Sequence, residues 1–130
     1  MNFFARAGQD QFLFENFFRG RRDGVFVDAG AQDGEQLSHS LFFEHSLGWR
    51  GLCIEPRAEA FAKLAARRKC NCEQLPVGKL PSLLEKYSLT QVDYCSLDAQ
   101  GAELAVLAEL DLGRFNISLL SISNAAGDER

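Results

Sequence analysis

Short apolar runs alternate with amphipathic stretches along the whole chain. The apolar runs lie in VFVDAG (25–30), WRGLCIEP (49–56), CNCEQLPVG (70–78), QVDYCSLDAQG (91–101) and FNISLLSISN (115–124). Each is too short for a stable helix and is bounded by turn formers, which predicts a strand; the one in CNCEQLPVG is short. The stretches between them carry apolar residues at helical spacing. RAEAFAKLAARRK (57–69) sets Phe61 and Leu64 on one face, KLPSLLEKYSL (79–89) has Pro81 in its first turn, and AELAVLAELDL (102–112) follows the fourth strand. GEQLSHSLFFEHSLG (34–48) predicts a helix with Leu37, Leu41, Phe42 and Leu47 inward, ended by Gly48. A leading helix is predicted over 8–24, with Phe12, Phe14, Phe17 and Phe18 as its apolar stripe and Gly24 as its stop.

Strand and helix therefore alternate through five strands. The strands are apolar along most of their length, the sign of a parallel sheet covered by helices on both faces. Right-handed crossovers leave few topologies, of which the doubly wound Rossmann type is the first choice. The expected fold class is α/β: a reduced Rossmann-like fold of about five mainly parallel strands. At 130 residues the chain reads as one domain, a leading helix over 1–24 and a core over 25–130.

Composition narrows the function. Lys+Arg 14 against Asp+Glu 18 leave a net charge of −4, so nothing argues for nucleic acid or an anionic membrane as partner. The basic spots RGRR (19–22) and ARRK (66–69) are short and read as solvated surface. No run approaches the ~20 apolar residues of a membrane span, and the N-terminus lacks the pattern of a secretory signal. Reduced thiols in a cytoplasmic protein are then the expectation for Cys53, Cys70, Cys72 and Cys95. Cys70 and Cys72 have poor spacing for zinc, and no metal site is expected.

The candidate chemistry lies at the strand ends. In an open α/β sheet, ligands bind beyond the carboxyl ends of the strands, where the strand order reverses. The first strand ends at Asp28 and crosses to the next helix through DAGAQDG. Gly30 and Gly34 allow a tight turn there, while the acids Asp28 and Asp33 disfavour a pyrophosphate beside them. The turn is neither the glycine fingerprint of a dinucleotide fold nor a phosphate loop. Glu55, at the tip of the second strand, is placed to accept hydrogen bonds from ribose hydroxyls. A nucleoside with a cationic rather than a phosphorylated end fits this pattern, and S-adenosylmethionine is such a ligand. The structural alternative has Asp28 capping the turn and Glu55 merely exposed.

GQDQFLFENFF, GVFVDAGAQDG, SLFFEHSLGWRGLCIEP, VDYCSLDAQGAELAVLAELDL and ISLLSISN, in this order, resemble the FkbM family of S-adenosylmethionine-dependent methyltransferases. The resemblance implies a class I methyltransferase fold and, most often, O-methylation of a hydroxyl on a small molecule or glycan. It implies a cofactor loop containing Asp28, Gly30, Ala31, Asp33 and Gly34, with Ser38 beyond it, and a ribose acid at Glu55 followed by Pro56. Asp98 and Glu103 fall in the motif facing the transferred methyl. Asp98 is the first candidate for base or metal ligand, with helix capping an even alternative; for Glu103 the capping alternative is the stronger. The sequence departs from the family pattern in three ways: Gln100 and Ser123 stand where acids are usual, the segment after the third strand is short, and residues 1–130 are not expected to include the closing hairpin into which members continue. A catalytically reduced cofactor-binding or interaction module is therefore the second reading. An uncovered edge at the fifth strand adds a third expectation, a homodimer.

Overall fold

A computed structural model describes residues 8–19, 21–34, 38, 40–98 and 101–122. Helix α1 (Gln9–Leu13) runs on into a wider π turn (Phe14–Phe18). Strand β1 (Val25–Ala29), helix α2 (Leu41–Leu47), strand β2 (Arg50–Ile54), helix α3 (Ala58–Arg67) and strand β3 (Asn71–Glu73) follow. A 3₁₀ turn (Val77–Lys79) then leads into α4 (Leu80–Lys86), β4 (Gln91–Leu97), α5 (Glu103–Glu109) and β5 (Asn116–Ile122).

The five strands form one sheet in the order β3-β2-β1-β4-β5, and every neighbouring pair is parallel. The expected Rossmann-like arrangement is borne out. All five residues of β1 are buried, because it lies at the centre of the sheet with helices on both faces. Its side chains alternate between two cores. Val25, Val27 and Ala29 pack with Leu52, Ile54, Leu80, Leu84, Leu97 and Val106, whereas Phe26 packs with Phe42, Phe43, Trp49, Leu64 and Tyr94. Nothing but the period of two in a strand is needed to divide them.

The second core is aromatic. Phe43 lies 4.8 Å from Trp49 and 5.6 Å from Tyr94, and Phe18 reaches Trp49 at 5.1 Å. Phe18 and Phe14 thereby pin the leading helix to the sheet, each side chain contributing about 1.5–3 kcal/mol by its burial. The predicted stripe is corrected here. Phe12 and Phe17 point outward, 57% and 58% exposed, and meet edge-on at 6.1 Å. The inward positions are Leu13, Phe14 and Phe18, since the π turn shifts the residues that follow α1 round the axis.

The second predicted helix is also shorter than its pattern. It begins at Leu41, not at Gly34. The Ser38 hydroxyl accepts the N–H groups of Ser40 (3.2 Å) and Leu41 (3.0 Å), and Ser40 is drawn to the sheet by a 2.6 Å bond from its hydroxyl to Asp28. Leu37 and His39 lie outside the described residues.

The largest correction concerns ARRK. Arg68 is not on a solvated surface; its side chain is fully buried. Its Nε donates to Glu44 Oε1 at 3.0 Å, one terminal nitrogen to the Gly34 carbonyl at 3.0 Å and to Ser38 Oγ at 3.4 Å, and the other to Ser40 Oγ at 3.0 Å. One guanidinium thus fastens the chain after β1 to the end of α3.

Candidate functional site

Strands β1, β2 and β3 step one way across the sheet, and the chain then crosses back to β4 and β5 on the other side of β1. The order reverses between β1 and β4, which opens a crevice beyond their carboxyl ends. A cavity of about 570 Å³ occupies that place. Its walls come from the segments after four strands: Gly30 and Gln32 after β1; Glu55, Pro56 and Arg57 after β2; Pro76 and Val77 after β3; Asp98 after β4. Ala102, Ala105, Val106 and Glu109 of the α5 region close it. The volume suits a ligand of cofactor size.

Local backbone bonds set the floor. Gly30 and Ala31 both donate N–H to the Ile54 carbonyl (2.8 and 2.9 Å), and Asp98 N–H donates to the Ala29 carbonyl at 2.8 Å. The tips of β1, β2 and β4 are thereby tied together. Gly30 has φ +92°, and a Cβ there would stand 2.1 Å from the Asp98 carbonyl oxygen. Its lack of a side chain is required by this contact between two tips of the sheet.

Glu55 is 2% exposed although it lines the cavity. Its Oε1 accepts the Gln32 N–H at 2.8 Å, and its Oε2 accepts both the N–H (3.0 Å) and the Nε (2.9 Å) of Arg57. Gln32 reaches Glu55 from a left-handed conformation, φ 55°. A carboxylate has about four acceptor positions, so three bonds leave it capacity on Oε1 for one further donor. The hydrogen bond from Arg57 to Glu55, and the attraction between the two charges, raise the Arg57 pKa and keep the guanidinium cationic at the mouth of the cavity. Asp98 lines the same cavity and adds to that effect.

The expected site residues divide into two groups. Gly30, Glu55, Pro56 and Asp98 come together around the cavity. The others lie elsewhere. Asp28, 2% exposed, accepts the Ser40 hydroxyl on the aromatic side of the sheet. Ala31 is buried in the aromatic core, and Ser38 is a partner of Arg68. The Gly34 Cα packs on Leu64 and Arg68. Asp33 pairs with Arg67 at 3.4 Å beside a shallower groove. Glu103 is 7% exposed and both its oxygens accept the Gly101 N–H, at 3.1 and 3.3 Å, which ties the first residue of α5 to the turn before it. Gln100 and Ser123 lie outside the described residues.

The sequence reading missed Gln32, Arg57, Pro76 and Val77. Arg57 had a signal: it directly follows the Glu-Pro at the end of β2. Pro76 and Val77 belong to the short segment after β3, which contributes wall to the cavity despite its brevity.

A central parallel sheet with a crevice at its switch point defines a Rossmann-like α/β protein. The solved quinone oxidoreductase of Thermus thermophilus, described also in its complex with NADPH, has this fold. It aligns with 94% of this chain at a TM-score of 0.50 and 16% identity, the alignment covering 44% of that chain. This chain therefore spans less than half the length of that structure, and the likeness is one of fold. Residues 72–129 match the model of the methyltransferase FkbM domain, which bears out the family resemblance over that stretch. The matched stretch contains β4, α5 and β5 with Asp98 and Glu103, and it begins within β3, after Glu55. No curated protein matches the chain. Among the described residues no helix is long and apolar enough to cross a membrane, and no group of three or more His, Cys, Asp or Glu is arranged to hold a metal ion.

Proposed function

We propose that the chain is an S-adenosylmethionine-dependent methyltransferase domain acting on a hydroxyl of a small molecule or glycan. The observation that carries this reading is the cavity at the switch point, with one carboxylate at the tip of β2 and another at the tip of β4. The residues present fit the cofactor. Glu55 Oε1 has acceptor capacity for a ribose hydroxyl, and Pro76, Val77, Ala102 and Val106 offer an apolar wall to a purine. The acidic Asp98 and Glu109 face the same space and suit a cationic ligand. When bound, the cofactor supplies an electrophilic methyl group on a sulfonium.

The chain's own residues then have separable tasks. Glu55, fixed by Gln32 and Arg57, orients the nucleoside. The apolar walls exclude water. Asp98 accepts the proton of the attacking hydroxyl. In this reading Asp28, Ser38, Gly34 and Glu103 hold the loop and the helix start in place rather than touch the ligand. The occupation of Glu103 by the Gly101 N–H favours a second reading, a domain that binds the cofactor without turnover. Residues 1–130 are taken as one domain, and the exposed edge at β5 as a surface for a second copy.

The test is the affinity of the protein for S-adenosylhomocysteine with Glu55 intact and with Glu55→Ala. Loss of the ribose bond should weaken binding by about 1–3 kcal/mol. Equal affinities would remove Glu55 from the site and the ribose assignment with it.

A further inference from the structure

Three of the four cysteines meet on the aromatic side of the sheet, away from the cavity, where the proposed methyl transfer does not use them. Cys53 of β2 is the register partner of Cys72 of β3, so both side chains leave the same face of the sheet. Cys70, at the bend before β3, brings its sulfur to 3.6 Å from the Cys53 sulfur. The Cys72 thiol lies 3.5 Å from the Cys70 carbonyl. Cys53 is fully buried, while Cys70 and Cys72 are partly buried.

We propose that Cys53 and Cys70 form a thiol redox site that takes a peroxide as its oxidant and closes a Cys53–Cys70 disulfide. Two sulfurs at 3.6 Å need approach by only about 1.5 Å to bond, within the reach of a bend residue. Accessibility sets the order of events: Cys70 is open to a small oxidant and Cys53 is not.

The step balances. The Cys70 sulfur attacks a peroxide oxygen, the O–O bond breaks, and the Cys70 proton passes to the leaving oxygen. Cys70 sulfenic acid and, from hydrogen peroxide, water result. Cys53 sulfur then attacks the sulfenic sulfur, the S–O bond breaks, and the hydroxyl leaves as water with the Cys53 proton. For hydrogen peroxide the sum is two thiols and one peroxide giving one disulfide and two waters.

The experiment treats the full chain with hydrogen peroxide, counts free thiols after denaturation, and maps the linkage by peptide mass. The expected result is the loss of two thiols and two hydrogens from the monomer, a Cys53–Cys70 peptide, and reversal by a dithiol. Cys72→Ser should form the same linkage, because Cys72 takes no part in the bond. Four free thiols after treatment, oxygen addition without a disulfide, or a linkage other than Cys53–Cys70 would each overturn the proposal. So would failure of Cys72→Ser to form that linkage. Mapping in the unaltered protein keeps the test decisive even if Cys53 variants fold poorly.

Discussion

Replacing Arg68 by alanine is the sharpest perturbation of this fold. The side chain is fully buried, yet each of its donor nitrogens has an acceptor within 3.0 Å: Glu44, the Gly34 carbonyl and Ser40. The guanidinium also lies 5.5 Å from the centre of the Phe26 ring. Truncation removes the cation but leaves its counter-charges in place. Glu44 is 14% exposed and Asp28 is 2% exposed, so neither gains much water in compensation. Removing one partner of a buried charge pair costs about 3–5 kcal/mol, against about 0–1 for a surface pair. The expected loss for Arg68→Ala is in the first range and lowers the urea midpoint by at least about 1 M. Arg68→Lys keeps the charge but not the planar fork, and should fall between the two. The assay is urea unfolding followed by circular dichroism. A loss under about 1 kcal/mol for Arg68→Ala would refute the buried network and restore Arg68 to the surface.

Three further outcomes are expected. Gly30→Ala forces a Cβ to 2.1 Å from the Asp98 carbonyl at φ +92°, and should cost more than about 2 kcal/mol of unfolding free energy. Gly78→Ala, with nothing within 4 Å, is the control and should stay within about 1 kcal/mol; similar losses in both would contradict the contact. Burial, and then the charge of Asp28, push the Cys95 thiol up to about 12. The unfolded chain releases this proton near pH 8.5, so the folded state binds more protons above that value and stability falls as pH rises toward about 12. Urea midpoints between pH 8 and 11, as rough limits, should fall less steeply in Cys95→Ala, and equal slopes would contradict the assignment. Asp98→Asn should lower methyl transfer to an acceptor hydroxyl by about 100-fold or more while leaving S-adenosylhomocysteine affinity within about threefold; a parallel loss of both would make Asp98 a binding group.

The strands were legible because a buried parallel strand is a continuous apolar run, and Val25–Ala29 and Gln91–Leu97 are close to that pattern. The helix ends were less so. GEQLSHSLFFEHSLG has helical periodicity, but Ser38 and Ser40 are claimed by backbone, Asp28 and Arg68, and such distant bonds leave no trace in local spacing. Arg68 was illegible for the same reason. A basic residue after an alanine-rich helix reads as solvated unless its acidic partners, 24 and more residues away, are known to face it. At the site, the strand-end rule found Gly30, Glu55 and Asp98, since each follows directly from a strand. It placed Asp28 there too. Yet Asp28 lies within β1, where the period of two turns its side chain to the same face as Phe26 and toward Ser40.

The central claim is that the crevice beyond β1, β2 and β4 holds S-adenosylmethionine. The most direct measurement is calorimetric titration of the purified chain with S-adenosylmethionine and with S-adenosylhomocysteine. The account predicts one-to-one binding of both with micromolar dissociation constants. No heat of binding at millimolar concentrations of either ligand would contradict it.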